Sequence, residues 1–206
     1  MRAGPKGQIT LPPLSFKGWP ADRAARRVRF VQEFCRVPRG HGAVIRFGCG
    51  TARPRSWLVR SRLVCVLHWC RFRGRTVKTA LAAMLGLAEL FVGPPSAETL
   101  VVASDQRPAD LTLQLVRRMV ELKPGLEARF HIFRDRLYLP ENDATLLPLP
   151  AEPGALHGHD PSLLSVDELH VVTRDVWEAA TMAAGKRAEL LTLAISTEAC
   201  LTKCRS

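Results

Sequence analysis

The chain has 206 residues, 47% hydrophobic and 24% charged, with a formal net charge of +11. That suffices for one ordinary α/β domain with its own core and is too apolar for a disordered chain. Residues 79–93, the longest apolar run, are interrupted by Glu89 and too short for a bilayer. Met1-Arg2-Ala3-Gly4-Pro5-Lys6 has charge but no apolar stretch behind it. Neither a membrane span nor a secretory signal is expected, so the setting is cytoplasmic and the cysteines are free thiols.

Residues 1–19 are rich in proline and glycine and read as irregular. Asp22 can cap a helix to about Arg36, with Val28, Val31 and Phe34 or Cys35 inward. Arg23, Arg26, Arg27 and Arg29 line its outer side, a solvated face in preference to a phosphate-contacting one. Residues 46–78 then carry eight Arg and one Lys and no acid. Subtracting these nine from +11 leaves +2 for the rest, so the charge sits in one block. That block also holds Cys49, Cys65, Cys70, Trp57 and Trp69. Within it, Leu63-Val64-Cys65-Val66-Leu67 suits a buried strand.

A glycine-containing stretch, residues 71–78, precedes an apolar helix over 79–91 in which Leu81, Leu85, Leu87 and Leu90 form the buried rows. Residues 99–103 read as a second buried strand, ending at Ser104-Asp105. Pro108 opens a helix to about Leu122, with Leu111, Leu115, Met119 and Leu122 in register, and Lys123-Pro124-Gly125 stops it. Three short strands follow over 130–133, 136–139 and 146–149, then a loop over 154–160. Residues 163–166 form a third buried strand running into Asp167-Glu168. Thr173 caps a helix to about Arg187, with Val176, Trp177, Ala180 and Ala184 inward. A fourth strand, 191–195, ends at Ser196-Thr197.

Strands alternating with helices predict a mostly parallel sheet covered on both faces, hence three layers. In such sheets ligands sit beyond the carboxyl ends of the strands. Ser104-Asp105, Asp167-Glu168 and Ser196-Thr197 all fall there. Two acids after four mostly apolar residues suit Mg-nucleotide chemistry. The first can hold Mg²⁺ and the second can orient the attacking water. Adjacent strand residues face opposite ways, so both acids serve one site only where the backbone turns. The partner is a phosphate loop between strand and helix. Lys78 would reach the terminal phosphates, and the Thr79 hydroxyl would ligand Mg²⁺. Gly74 is the glycine near this loop, and Val77 stands where the phosphate-loop pattern has glycine. A β-branched residue there resists positive φ.

The stretches Val101-Val102-Ala103-Ser104-Asp105, 149–158, Asp160-Pro161-Ser162 leading to Val166-Asp167-Glu168-Leu169-His170, Gly185-Lys186-Arg187 and Leu193-Ala194-Ile195-Ser196-Thr197 resemble the large terminase subunit of tailed bacteriophages. The similarity covers about residues 18–45 and 78–197. It implies a P-loop NTPase domain of the additional-strand, RecA-like class that uses ATP and Mg²⁺ to drive double-stranded DNA into a capsid. A ring of subunits on the portal, a small terminase subunit and a bacterial host cytoplasm are implied with it. Matched position by position, Lys78 and Thr79 stand in the Walker A motif and Asp167 in Walker B. Glu168 is the catalytic carboxylate, and Ser196 and Thr197 couple hydrolysis to movement. Arg73 and Arg75 are candidates for the arginine that meets the transition state. From its position after the acidic pair, His170 reads either as a phosphate sensor or as a buried histidine bonded to backbone.

This chain departs from the family at Val77, at Arg53-Pro54-Arg55-Ser56-Trp57, where the adenine-side Gln is missing, and in having no nuclease domain after Thr197. The expected organisation is an arm and helix (1–45), an anomalous basic segment (46–77), the ATPase core (78–197) and an irregular tail (198–206). Residues 48–77 and 198–206 read as translated out of the original frame; a divergent domain is the rival explanation. The alternative function is a non-catalytic remnant or a basic nucleic-acid-binding fragment acting through the 46–78 block. Cys65, His68 and Cys70 with Cys200 and Cys204 have poor spacing for zinc. His157-Gly158-His159-Asp160 reads better as a polar loop than as a metal site. No Ser-His-Asp set is arguable.

Overall fold

The structure, a computed structural model, describes residues 11–36, 63–68, 75–183, 187 and 190–196. The elements are α1 (Arg23–Phe34), β1 (Leu63–His68), α2 (Arg75–Val92), β2 (Glu98–Ala103), α3 (Gln106–Glu121) and α4 (Pro124–Glu127). Then come β3 (His131–Ile132), β4 (Leu137–Leu139), β5 (Ala144–Pro150), α5 (Pro153–Leu156), β6 (Leu163–Val166), α6 (Arg174–Ala183) and β7 (Leu191–Ser196). One seven-stranded sheet runs β1-β7-β6-β2-β5-β4-β3. Its first five strands are parallel, and β4 and β3 add an antiparallel edge. β7, last in sequence, inserts between β1 and β6.

Period-two alternation divides the core between two faces. Val101 of β2 joins α1, α2, α3 and the inward residues of β4 and β5: Leu137, Leu139, Ala144 and Leu146. Leu100 and Val102 face the other way, with Leu164, Val166 and Ala194, against Leu156 of α5 and Val176 and Ala180 of α6. The result is the expected three-layer domain. No helix among the described residues is long and apolar enough to cross a membrane.

Asp22 caps α1 as its sequence position suggests, Oδ2 accepting from the Ala25 N–H at 2.8 Å. The inward face differs from expectation. Val28 is exposed, and Phe30, Val31 and Cys35 are buried. Phe30 anchors an aromatic stack with Phe34 and Phe91 at 4.8 and 5.0 Å, so ring packing sets the helix rotation. The arginine side is not simply solvated. Arg27 Nε donates to Glu89 Oε2 at 2.7 Å, and Arg29 lies 4.8 Å from the Trp19 ring centre.

Of the expected inward residues of α3, Met119 is buried and Leu115 packs against the core, and the other two are not buried. Leu111 and Leu122 are exposed, whereas Ala109, Thr112, Leu113, Val116 and Val120 are buried. Small residues permit close approach to neighbouring elements, and a stripe drawn through leucines misses them. Short helices α4 and α5 replace stretches expected to be irregular; each has proline in its first turn, where the missing N–H costs nothing.

Candidate nucleotide site at the carboxyl ends of the strands

β6 is buried throughout and delivers Asp167 to the carboxyl edge of the sheet. The Asp167 N–H donates to Val102 O at 2.8 Å, extending the β2 ladder one residue past the strand. The chain then turns. Glu168 has φ 56 and ψ 49, a left-handed conformation, and heads the 3₁₀ turn Leu169–Val171. Its N–H donates to Asp167 Oδ1 at 2.9 Å. The two acids therefore share a turn and are not splayed across the two faces of a strand. Asp167 is 8% exposed and Glu168 is half-buried.

The first turns of α2 approach from the other side. Thr79 Oγ1 lies 3.4 Å from Asp167 Oδ2, donating to it across 88 positions of sequence. Lys78 precedes Thr79 in the same helix, which begins at Arg75 and not at residue 79. Val77 is therefore helical. Valine stands there where the phosphate-loop pattern has glycine. β1, which leads toward this helix, pairs with β7 through His68 and Ser196. β7 pairs in turn with β6 through Val166 and Ala194, so β7 ends beside the Asp167-Glu168 turn.

The sheet thus gathers Lys78, Thr79, Asp167, Glu168 and Ser196 at one edge. Ser104 follows β2 at the same edge and is exposed. Arg75 opens α2 and His170 lies in the 3₁₀ turn. Gly74, Arg73 and Thr197 lie outside the described residues, as do Cys70, Cys200 and Cys204. Among the described residues no group of three or more His, Cys, Asp or Glu could hold a metal. His159 and Asp160 are committed elsewhere: His159 Nδ1 to Glu98 at 2.7 Å, and Asp160 to Arg187 at 2.9 Å.

Sequence reasoning missed the intervention of Glu89. Its side chain is fully buried on α2 and accepts from Arg27. An acid within an apolar helix, with arginines on a neighbouring one, was the available signal.

A family model described as the terminase large subunit, ATPase domain, matches residues 65–203, beginning inside the basic segment. No curated protein matches the chain. Among solved structures, the chain is similar to the HK97 bacteriophage large terminase at 27% identity and a TM-score of 0.64, covering 86% of this chain and 38% of that one. It is also similar to the ATPase domain of the Thermus phage P74-26 large terminase at 20% identity and a TM-score of 0.50, covering 66% of this chain and 58% of that one. The second likeness is one of fold alone. The chain spans well under half of the first structure and just over half of the second.

Proposed function

Because the chain belongs to the family of terminase large subunit ATPase domains, we propose that it binds and hydrolyses ATP with Mg²⁺ at the carboxyl edge of its parallel sheet. The observation that carries this reading is the meeting of Thr79 and Asp167 at 3.4 Å, from a helix start and a strand end far apart in sequence. A hydroxyl and a carboxylate are the hard oxygen donors that Mg²⁺ takes. Thr79 Oγ1 and Asp167 Oδ2, 3.4 Å apart, would hold the ion between them, the carboxylate through water. The residues present therefore fit the ion. When bound, it supplies charge neutralisation at the phosphate oxygens.

The chain's own groups have separate tasks in this reading. The Lys78 amine binds the terminal phosphates, with Gly74 four positions before it in sequence. Thr79 and Asp167 hold the cation. The Glu168 carboxylate orients the attacking water and accepts its proton. Ser196, which ends the strand between β1 and β6, and Thr197 after it in sequence transmit the change at the phosphates. Arg73 or Arg75 meets the transition-state charge. The resemblance extends this to a motor subunit that acts on double-stranded DNA in a ring on the portal, with a small terminase subunit, in the host cytoplasm.

Titration with a fluorescent ATP analogue, with and without Mg²⁺, tests the site. Wild type should bind more tightly with the ion, and Thr79→Val should remove that difference. An equal Mg²⁺ response in wild type and Thr79→Val would refute the assignment.

A further inference from the structure

At the opposite edge of the sheet, register places three polar or aromatic side chains in one cross-strand row. His131 pairs with Tyr138, and Tyr138 with Thr145. The alternate residues Leu137, Leu139, Ala144 and Leu146 enter the core beneath them. On the row's own face, the apolar layer of α5 and α6 extends only as far as Leu147 and Leu149 of β5. The row is left open, and with Phe133 and Arg136 it lines a cavity of about 310 Å³.

The lining is held in place from outside the cavity. Tyr138 donates its hydroxyl proton to Asp143 Oδ1 at 2.9 Å. Arg117 Nη2 donates to the carbonyls of Phe133 and Arg134, fixing the β3–β4 turn. The rings stand at steep angles: His131 to Tyr138 at 6.0 Å and 54°, His131 to Phe133 at 6.4 Å and 76°. The Arg136 guanidinium lies 4.9 Å from the Phe133 ring centre. His131 Nε2 is buried without a hydrogen-bond partner, a condition native interiors seldom leave unfilled. Arg134 and Arg136 are exposed and make no ion pair among the described residues.

We propose that this hairpin edge is a second site, which takes the base and phosphate of an unpaired nucleotide in a DNA strand. Aromatic faces and a stacked guanidinium accept a planar ring. Arg134 and Arg136, which make no ion pair among the described residues, meet the phosphate. The cavity is at the small end of the ~300–1,000 Å³ range of ligand pockets, room for one nucleotide. A duplex keeps its base faces stacked and cannot present them here. The site stands about three strand spacings across the sheet and five residues back along it from Asp167, roughly 22 Å, and does not depend on ATP binding.

Anisotropy of the full chain, without ATP or Mg²⁺, compares a labelled single-stranded oligothymidylate with a duplex of equal length. Charge attraction from residues 46–78 is common to both probes, so the difference between them reads the pocket. Phe133→Ala should weaken single-strand binding roughly five- to hundredfold, leave duplex binding unchanged, and be restored by Phe133→Trp. Should Phe133→Ala fail to fold, Phe133→Leu retains the apolar bulk, lacks the ring, and should show the same selective loss. Unchanged single-strand affinity in either variant, or equal weakening of both probes in the folded Leu variant, would overturn the proposal. So would competition by free thymidine monophosphate as effective, per nucleotide, as the strand itself.

Discussion

Replacing Arg27 with methionine should destabilise the domain more than any surface arginine change. Glu89 Oε2 accepts from Arg27 Nε at 2.7 Å, and their side chains are 0% and 11% exposed. Glu89 Oε1 is buried without a hydrogen-bond partner. Arg27 is therefore the principal compensation for a carboxylate shut away from water. Breaking such a pair from one side costs about 3–5 kcal/mol, because the remaining charge is stranded. For a chain of this size that is a fall of roughly 6–20 °C in Tm. Removing both partners is different. Arg27→Met combined with Glu89→Leu should return to within about 1 kcal/mol of wild type. Urea unfolding of the wild type, the single variant and the double variant closes the comparison. A loss below about 1 kcal/mol in the single variant, or a double variant less stable than the single, would refute the reasoning. The pair also joins α1 to the helix that carries Lys78 and Thr79, so the same variant should weaken nucleotide binding.

Glu168→Gln should retain nucleotide binding and lower hydrolysis by about 10²–10⁴, measured as phosphate release; equal turnover would remove Glu168 from the chemistry. Glu168→Gly should abolish hydrolysis yet gain about 1 kcal/mol in stability, because glycine adopts φ 56 without a Cβ penalty. Burial pushes the Cys35 thiol up to about 12, against the weaker opposing pull of Lys123 and Arg36. The folded thiol thus stays protonated where the unfolded one ionises. Its contribution is fully present below about pH 8.5 and declines as pH rises toward 12. Wild type should lose more stability than Cys35→Ala between about pH 9 and pH 11, read from urea midpoints.

Much of the fold was legible because strand interiors here are apolar without interruption. Leu163-Leu164-Ser165-Val166 and Thr99-Leu100-Val101-Val102-Ala103 are buried on both faces, and such runs stand out against helical periodicity. Helix faces were less legible. On α1 and α3 the sequence offers more apolar residues than one stripe can bury, and the choice falls to the partners. Phe91 selects Phe30 over Val28, and close packing selects Ala109 and Val116 over Leu111. Ion pairing was hidden for another reason. Arg27 and Glu89 are 62 positions apart, and no local pattern joins them. The aromatic row of the hairpin was equally invisible, since His131, Tyr138 and Thr145 become neighbours only through antiparallel register.

The candidate site depends on a small conformational fact that composition does not reveal. In an extended strand, residues 167 and 168 would send their carboxylates to opposite faces. Asp167 still holds its place in the sheet, bonded to Val102. Glu168 has left it, at φ 56, with its own N–H turned back onto Asp167. A non-glycine residue in the left-handed region carries a cost of about 1 kcal/mol or more. That cost is offset by the surrounding bonds: Asp167 Oδ1 accepts from Glu168, and Val171 N–H donates to Glu168 O at 2.9 Å. A side chain kept at such a position, where glycine would be easier, points to a use for the carboxylate beyond folding.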